Sequence, residues 1–258
     1  MMWTKIKLVG FLACALAMSG VVQAEEDTLF PDDMIPGELG AWLGFGSDYN
    51  WRGVSQTLDG WSVQAEFDYS VDVTEATSFY ISVWGSNVDY GQGFCGRCEH
   101  LELDAWGGFT GPLPFADGLT WDIGLWGYTW PGQNVDLDFY EIYGGLSYDF
   151  SVASVSAYIY YSPDTYNDPA EEDSQYYTGV LSIPLPKGFS LNFHVGLWEI
   201  ENNAWVGYPD YTDWKIGVGI PLPLGLDMEV AYIDTDVDDA ECALDCDERL
   251  YVFVSKTF

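Results

Sequence analysis

The chain ends Arg249-Leu-Tyr-Val-Phe-Val-Ser-Lys-Thr-Phe258, a run without Gly or Pro. Side chains alternate along a strand, so Leu250, Val252, Val254 and Phe258 fall on one face and Tyr251, Phe253, Ser255 and Thr257 on the other. A final strand that stops on an aromatic is the pattern of a bacterial outer-membrane barrel, where it pairs with the first strand and removes the open edge. A soluble β-sandwich that ends in Phe is the plain alternative. The rest of the chain decides between the two.

The same alternation recurs eleven times upstream. It begins with Leu39, Ala41, Leu43 and Phe45, then Val63, Ala65, Phe67 and Tyr69 with Gln64, Glu66 and Asp68 opposite. It continues through Phe79–Val83, Leu101–Ala105, Trp121–Leu125, Ile142–Tyr148, Val152–Tyr161, Gln175–Ile183, Leu191–Leu197, Trp214–Ile220 and Leu226–Tyr232. Alternate links are short (Asp72–Ala76, Thr110–Gly118, Asp149–Ser151, Pro184–Gly188, Pro221–Gly225), and the intervening ones are mostly longer and polar. The fold class expected is therefore all-β: a closed antiparallel transmembrane β-barrel of about 12 strands, with short periplasmic turns and long acidic extracellular loops. A sandwich has no reason to sort its loops by parity. Aromatic girdles are expected from Trp121, Tyr148 and Trp214 toward the short turns and from Trp84, Trp130, Tyr160, Tyr161 and Trp198 toward the long loops.

Lys5 and Lys7, the apolar run Leu8–Met18 and the small residues Val22 and Ala24 read as a secretory signal peptide over 1–24, cleaved after Ala24. Glu25–Gly37 reads as a loose acidic tail, and 38–258 as the barrel. Cleavage leaves six basic residues against 41 acids, a balance that does not seek nucleic acid. The expected surroundings are outer-membrane lipid, with small solutes or cations as partners and the oligomeric state open. The location expected is the outer membrane of a Gram-negative bacterium.

Charged side chains cannot face lipid cheaply, so parity points Glu66, Asp68, Glu102, Asp104, Asp122, Glu141, Asp227 and Glu229 inward, with Lys215 as a rare basic neighbour. An acidic lumen attracts cations and repels anions, which implies a cation-preferring pore for small solutes if the barrel conducts. Trp42, Trp84, Trp106, Trp126 and Tyr143 also point inward. They leave a second reading open: a plugged barrel that binds a partner or metal through its loops.

Cys95, Cys98, Cys242 and Cys246 lie in two long loops, and export makes disulfides their default state, in any of three pairings. A four-thiolate metal site is the alternative. Glu99 interrupts the c-type haem pattern before His100, so no haem is expected. Dense carboxylates at Asp234–Glu248 and Asp164–Asp173 offer oxygen ligands of the kind Ca²⁺ takes. Asp239 stands where a calcium loop needs Gly, and solvated loops without a cofactor are the reading adopted. No hydrolase or phosphate-loop motif occurs, and no enzyme activity is expected. Ser190, Asn192 and His194 share a strand face, but parity turns that face inward, away from lipid.

The first hairpin carries Ser47-Asp48-Tyr49 and Arg52-Gly53-Val54-Ser55-Gln56, followed by Phe67-Asp68-Tyr69. This resembles the start of the TorF porin family, and the β-rich chain ending in Phe is similar to that family's pattern over the remainder. The resemblance implies an outer-membrane pore and leaves its solute open. Arg52 stands out because basic residues are scarce. An ion pair with Asp48, Asp59 or Glu66 that pins the loop is expected, with a charge at the pore mouth as the alternative.

Overall fold

Twelve strands hydrogen-bond in a ring with no free edge, each antiparallel to its neighbours. The computed structural model describes residues 36–91, 100–133, 137–166, 172–201, 209–238 and 241–258. The signal-peptide reading and nearly all of the acidic tail lie outside these residues. In chain order the strands are β1 (Glu38–Gly46), the short β2 (Asn50–Trp51) and β3 (Val54–Ser55), then β4 (Ser62–Thr74), β5 (Thr77–Asn87), β6 (Leu101–Pro112), β7 (Leu119–Thr129), β8 (Phe139–Asp149), β9 (Ser154–Ser162), β10 (Ser174–Pro184), β11 (Ser190–Ile200), β12 (Tyr211–Leu222), β13 (Leu226–Thr235) and β14 (Arg249–Thr257). All but β2 and β3 belong to the ring. β14 closes it on β1, with Trp42 opposite Thr257 and Phe45 opposite Val254. The Phe258 N–H donates to the Ala41 carbonyl at 2.9 Å, so pairing runs to the last residue.

Parity holds around the ring. Leu43, Phe45, Phe67, Ile81, Val83, Leu103, Phe109, Ile123, Leu125, Ile142, Leu146, Ile159, Val195 and Ile216 are exposed on the outside. A belt of that size would be an aggregation surface in water, whereas lipid is its natural solvent. The two near-repeated segments, Ile183-Pro-Leu-Pro-Lys-Gly188 and Ile220-Pro-Leu-Pro-Leu-Gly225, make the same turn. Each has a 3₁₀ segment with positive φ at its central residue, Lys187 (68°) or Leu224 (69°), and at the following Gly.

The girdle expectation needs two corrections. Trp214 sits three residues into β12, at the end that follows a long loop, so it belongs to the long-loop side. Trp84, Trp130, Tyr160 and Trp198 lie at the expected end but point inward and are buried, so they fill the lumen rather than meet headgroups. Tyr161, next to Tyr160, does face outward.

Candidate functional site

The segment 47–61 does not form an extracellular loop. It folds into the barrel as a hairpin of β2 and β3. Its two-residue tip, Arg52-Gly53, has positive φ at both positions (49° and 83°), as a tight hairpin with right-handed strand twist requires. Asn50 Oδ1 accepts the Gly53 N–H at 3.2 Å and holds the turn. A Cβ on Gly53 would lie 2.4 Å from Thr235 Cγ2 and 2.7 Å from Asp213 Cβ, so the tip abuts the β12–β13 wall.

Arg52 reaches neither Asp48, Asp59 nor Glu66, as the local reading expected. Its Nη2 donates to both carboxylate oxygens of Glu141 on β8, at 2.6 and 2.7 Å. Tyr128 donates to the same carboxylate at 2.9 Å. The guanidinium carbon stands 4.3 Å from the Trp51 ring centre, 4.2 Å from Tyr176, 5.2 Å from Trp198 and 5.7 Å from Tyr160. Tyr211 donates to the Arg52 carbonyl at 2.9 Å.

A second arginine holds the foot of the hairpin. Arg249, inward on β14, donates to Asp48 at 2.9 Å and Asp245 at 2.7 Å, and lies 3.7 Å from Asp59. Asp48 also accepts the Ser55 and Thr57 hydroxyls, each at 2.6 Å. Ser47 tethers the hairpin to the closing strand, its N–H donating to the Val252 carbonyl at 2.8 Å. Gln56 accepts the Asp89 N–H through its carbonyl at 2.8 Å. Phe67 and Tyr69 of the same motif face outward, and Tyr69 donates to the Pro36 carbonyl at 2.6 Å.

Above this layer, Glu102 accepts from Tyr49 (2.9 Å), Tyr90 (3.2 Å) and Trp130 Nε1 (3.1 Å). Burial first, and the Glu102 charge second, push the Tyr49 and Tyr90 hydroxyls well above their ordinary range, so both remain donors. Trp126 Nε1 donates to Asp104 at 3.1 Å, and its ring stacks on Trp106 at 4.0 Å. Trp51, Gln56, Glu102, Tyr128, Trp130 and Tyr166 leave no room between them for a water molecule. Among the described residues, hairpin and wall side chains pack at this level without a gap.

Further inward packing lies toward the short turns. Asp122 accepts from Tyr80 (2.6 Å) and Tyr158 (3.2 Å), and the Tyr80 hydroxyl also contacts that of Tyr143. These rings lie over inward glycines: a Cβ on Gly145 would be 2.2 Å from the Tyr158 ring. On β4, Glu66 lies opposite Trp84 and Asp68 opposite Ser82, both half-buried, while Asp227, near the short-turn end of β13, is exposed. Lys215 pairs with Glu229 at 3.0 Å. His194 Nε2 is 2.8 Å from Asp213 and 3.0 Å from the Tyr176 hydroxyl, while Asn192 donates to Ser190 at 3.2 Å, so these residues form no linked Ser–His pair.

The eight carboxylates share the inward parity, but Glu102, Asp104, Asp122, Glu141 and Glu229 are buried in contacts. Arg249, Asp213 and Tyr176 were passed over in the sequence, although their inward parity was available there. Cys242 and Cys246 are bonded to each other, and Thr235 donates to the Cys246 carbonyl at 3.1 Å. Cys95 and Cys98 lie outside the described residues. No group of three or more His, Cys, Asp or Glu among the described residues is placed to hold a metal ion.

The fold is shared with solved barrels at low identity. The NanC porin matches with a TM-score of 0.53 and 10% identity, over 85% of this chain and 98% of that one. The COG4313 outer membrane channel from Pseudomonas putida F1 matches at 0.50 and 10%, over 92% and 100%. A Salmonella typhi outer membrane phospholipase matches at 0.52 and 8%, over 87% and 92%. No curated protein matches the sequence. A closed barrel with an apolar belt and sorted loops is a protein of the Gram-negative outer membrane. The model of a family described as a bacterial protein of unknown function (Gcw_chp) matches residues 33–258, while the TorF resemblance rests on the first-hairpin motif. With that match covering most of its length, the chain belongs to the Gcw_chp family.

Proposed function

We propose that this barrel is an outer-membrane channel for small solutes, cation-preferring, and closed at its outer mouth by the 47–61 hairpin. The observation that carries this reading is the nature of the closure. It is a single hairpin, held to the wall by two arginines through Glu141 and Asp48, in a barrel whose inward Glu66, Asp68 and Asp227 stay partly open to solvent. Carboxylates at a confined, partly desolvated mouth concentrate cations and exclude anions. Likeness to a phospholipase barrel carries fold only, and His194 bonds Asp213 rather than Ser190.

Conductance in a planar bilayer under a KCl gradient tests the proposal on two proteins: the mature chain, and a variant with residues 50–56 replaced by a Gly-Ser linker. The variant is expected to give the larger steps, with a reversal potential showing K⁺ preference. Glu66→Gln, Asp68→Asn and Asp227→Asn together should weaken that preference. Preference for Cl⁻ would remove the cation assignment and leave the channel.

The buried aromatic layer around Trp51, Trp126 and Trp130 favours a second reading, a permanently plugged barrel that binds a partner through its acidic, cysteine-bearing loops. Absence of steps from both correctly folded proteins would select it.

A further inference from the structure

The residues that receive Arg52 come from the wall, one from each of five consecutive strands. Tyr128 stands on β7, Glu141 on β8, Tyr160 on β9, Tyr176 on β10 and Trp198 on β11. Tyr160 is in register with Tyr176, and Tyr176 with Trp198, so the strand ladder alone sets the three rings side by side. All five side chains are buried. Aromatic faces present negative charge density, and a carboxylate fixed by a tyrosine hydroxyl closes one side. Such a set recognises a flat or compact organic cation. The hairpin supplies the occupant but only one wall of its surroundings, Trp51. The fit is also incomplete: Nη2 makes both bonds to Glu141, and the buried Nη1 has no hydrogen-bond partner among the described residues.

We propose that Tyr128, Glu141, Tyr160, Tyr176 and Trp198 form a receptor site for guanidinium- and ammonium-bearing solutes, and that Arg52 occupies it as the chain's own ligand. Displacing the hairpin frees the site, and a cationic solute competes with the hairpin for the same carboxylate and rings. That such solutes also cross the barrel rests on the channel reading above; the binding site does not.

The test uses the full mature protein folded in detergent, with methylguanidinium as the probe and intrinsic tryptophan fluorescence as the readout, since Trp198 and Trp51 adjoin the site. Arg52→Ala empties it. Methylguanidinium is expected to give a saturable fluorescence change in this variant, and none over the same concentration range in the wild type or in Arg52→Lys, where the tethered cation outcompetes it. Adding Glu141→Gln to Arg52→Ala should weaken binding tenfold or more. If Arg52→Ala does not fold, the variant with 50–56 replaced by a Gly-Ser linker has the same open wall and the same expected result. The proposal is overturned if neither variant gives a saturable change, if sodium chloride at equal ionic strength gives the same change, or if the wild type responds as they do. Binding without conductance by the linker variant would refute the channel while leaving the site standing.

Discussion

The Arg52–Glu141 pair is almost fully withdrawn from solvent, with side-chain exposures of 6% and 1%. Two desolvated charges contribute little net stability, but removing one strands the other. Glu141→Gln should therefore destabilise the barrel by about 3–5 kcal/mol, measured by urea unfolding in lipid vesicles. Replacing both, as Arg52→Met with Glu141→Leu, should lose much less, because no charge is left buried. Equal losses in the single and double variants would mean that the pair acts through packing instead. Gly53 gives a second prediction at this scale. Its φ of 83° and its contact with the β12–β13 wall leave no place for a methyl group. Gly53→Ala should cost about 1–3 kcal/mol, and the hairpin should become sensitive to added protease.

At the level of elements, the hairpin and the loop after β13 support one another. The Ser55 N–H donates to the Asp245 carbonyl at 2.9 Å, and Arg249 bridges Asp48 and Asp245. The Cys242–Cys246 bond lies within this loop and closes a short ring. By chain entropy a ring of that size is worth about 2 kcal/mol. Cys242→Ser with Cys246→Ser should make the 241–248 segment cleavable by a glutamate-specific protease, while the barrel keeps its heat-modifiable gel migration. Loss of that migration would place the bond in barrel assembly itself. β14 behaves differently, because it is the only partner joining β1 to β13. Deleting Val252–Phe258 exposes two edges in lipid, where each unpaired backbone group costs several kcal/mol. Membrane assembly should be abolished, as read by loss of heat modifiability.

For the whole molecule, the outward and inward faces obey different solvents, and that difference made most of the fold legible. Lipid outside enforces apolar side chains at every second position, so strand number, parity and loop sorting could be read from residue order. The inward carboxylates were legible for the same reason. Height along a strand does not give facing, so Trp84, Trp130, Tyr160 and Trp198 stand at girdle height and yet fill the lumen. The direction in which β12 runs puts Trp214 at the end that follows a long loop. The lumen has no such rule. Its contents are matched to one another across the ring, and they include both polar and aromatic residues.

The sequence by itself determined a closed twelve-stranded barrel, its outward belt and the acidic character of its interior, because each follows from a two-residue period and the cost of charge in lipid. The tertiary structure alone decided that the 47–61 segment turns inward, that Arg52 pairs with Glu141, 89 residues away, and that Asp48 is taken by Arg249, 201 residues away. Those pairings depend on which strands face one another across the lumen. A local pattern carries no information about that distance, and closure of the ring supplies it.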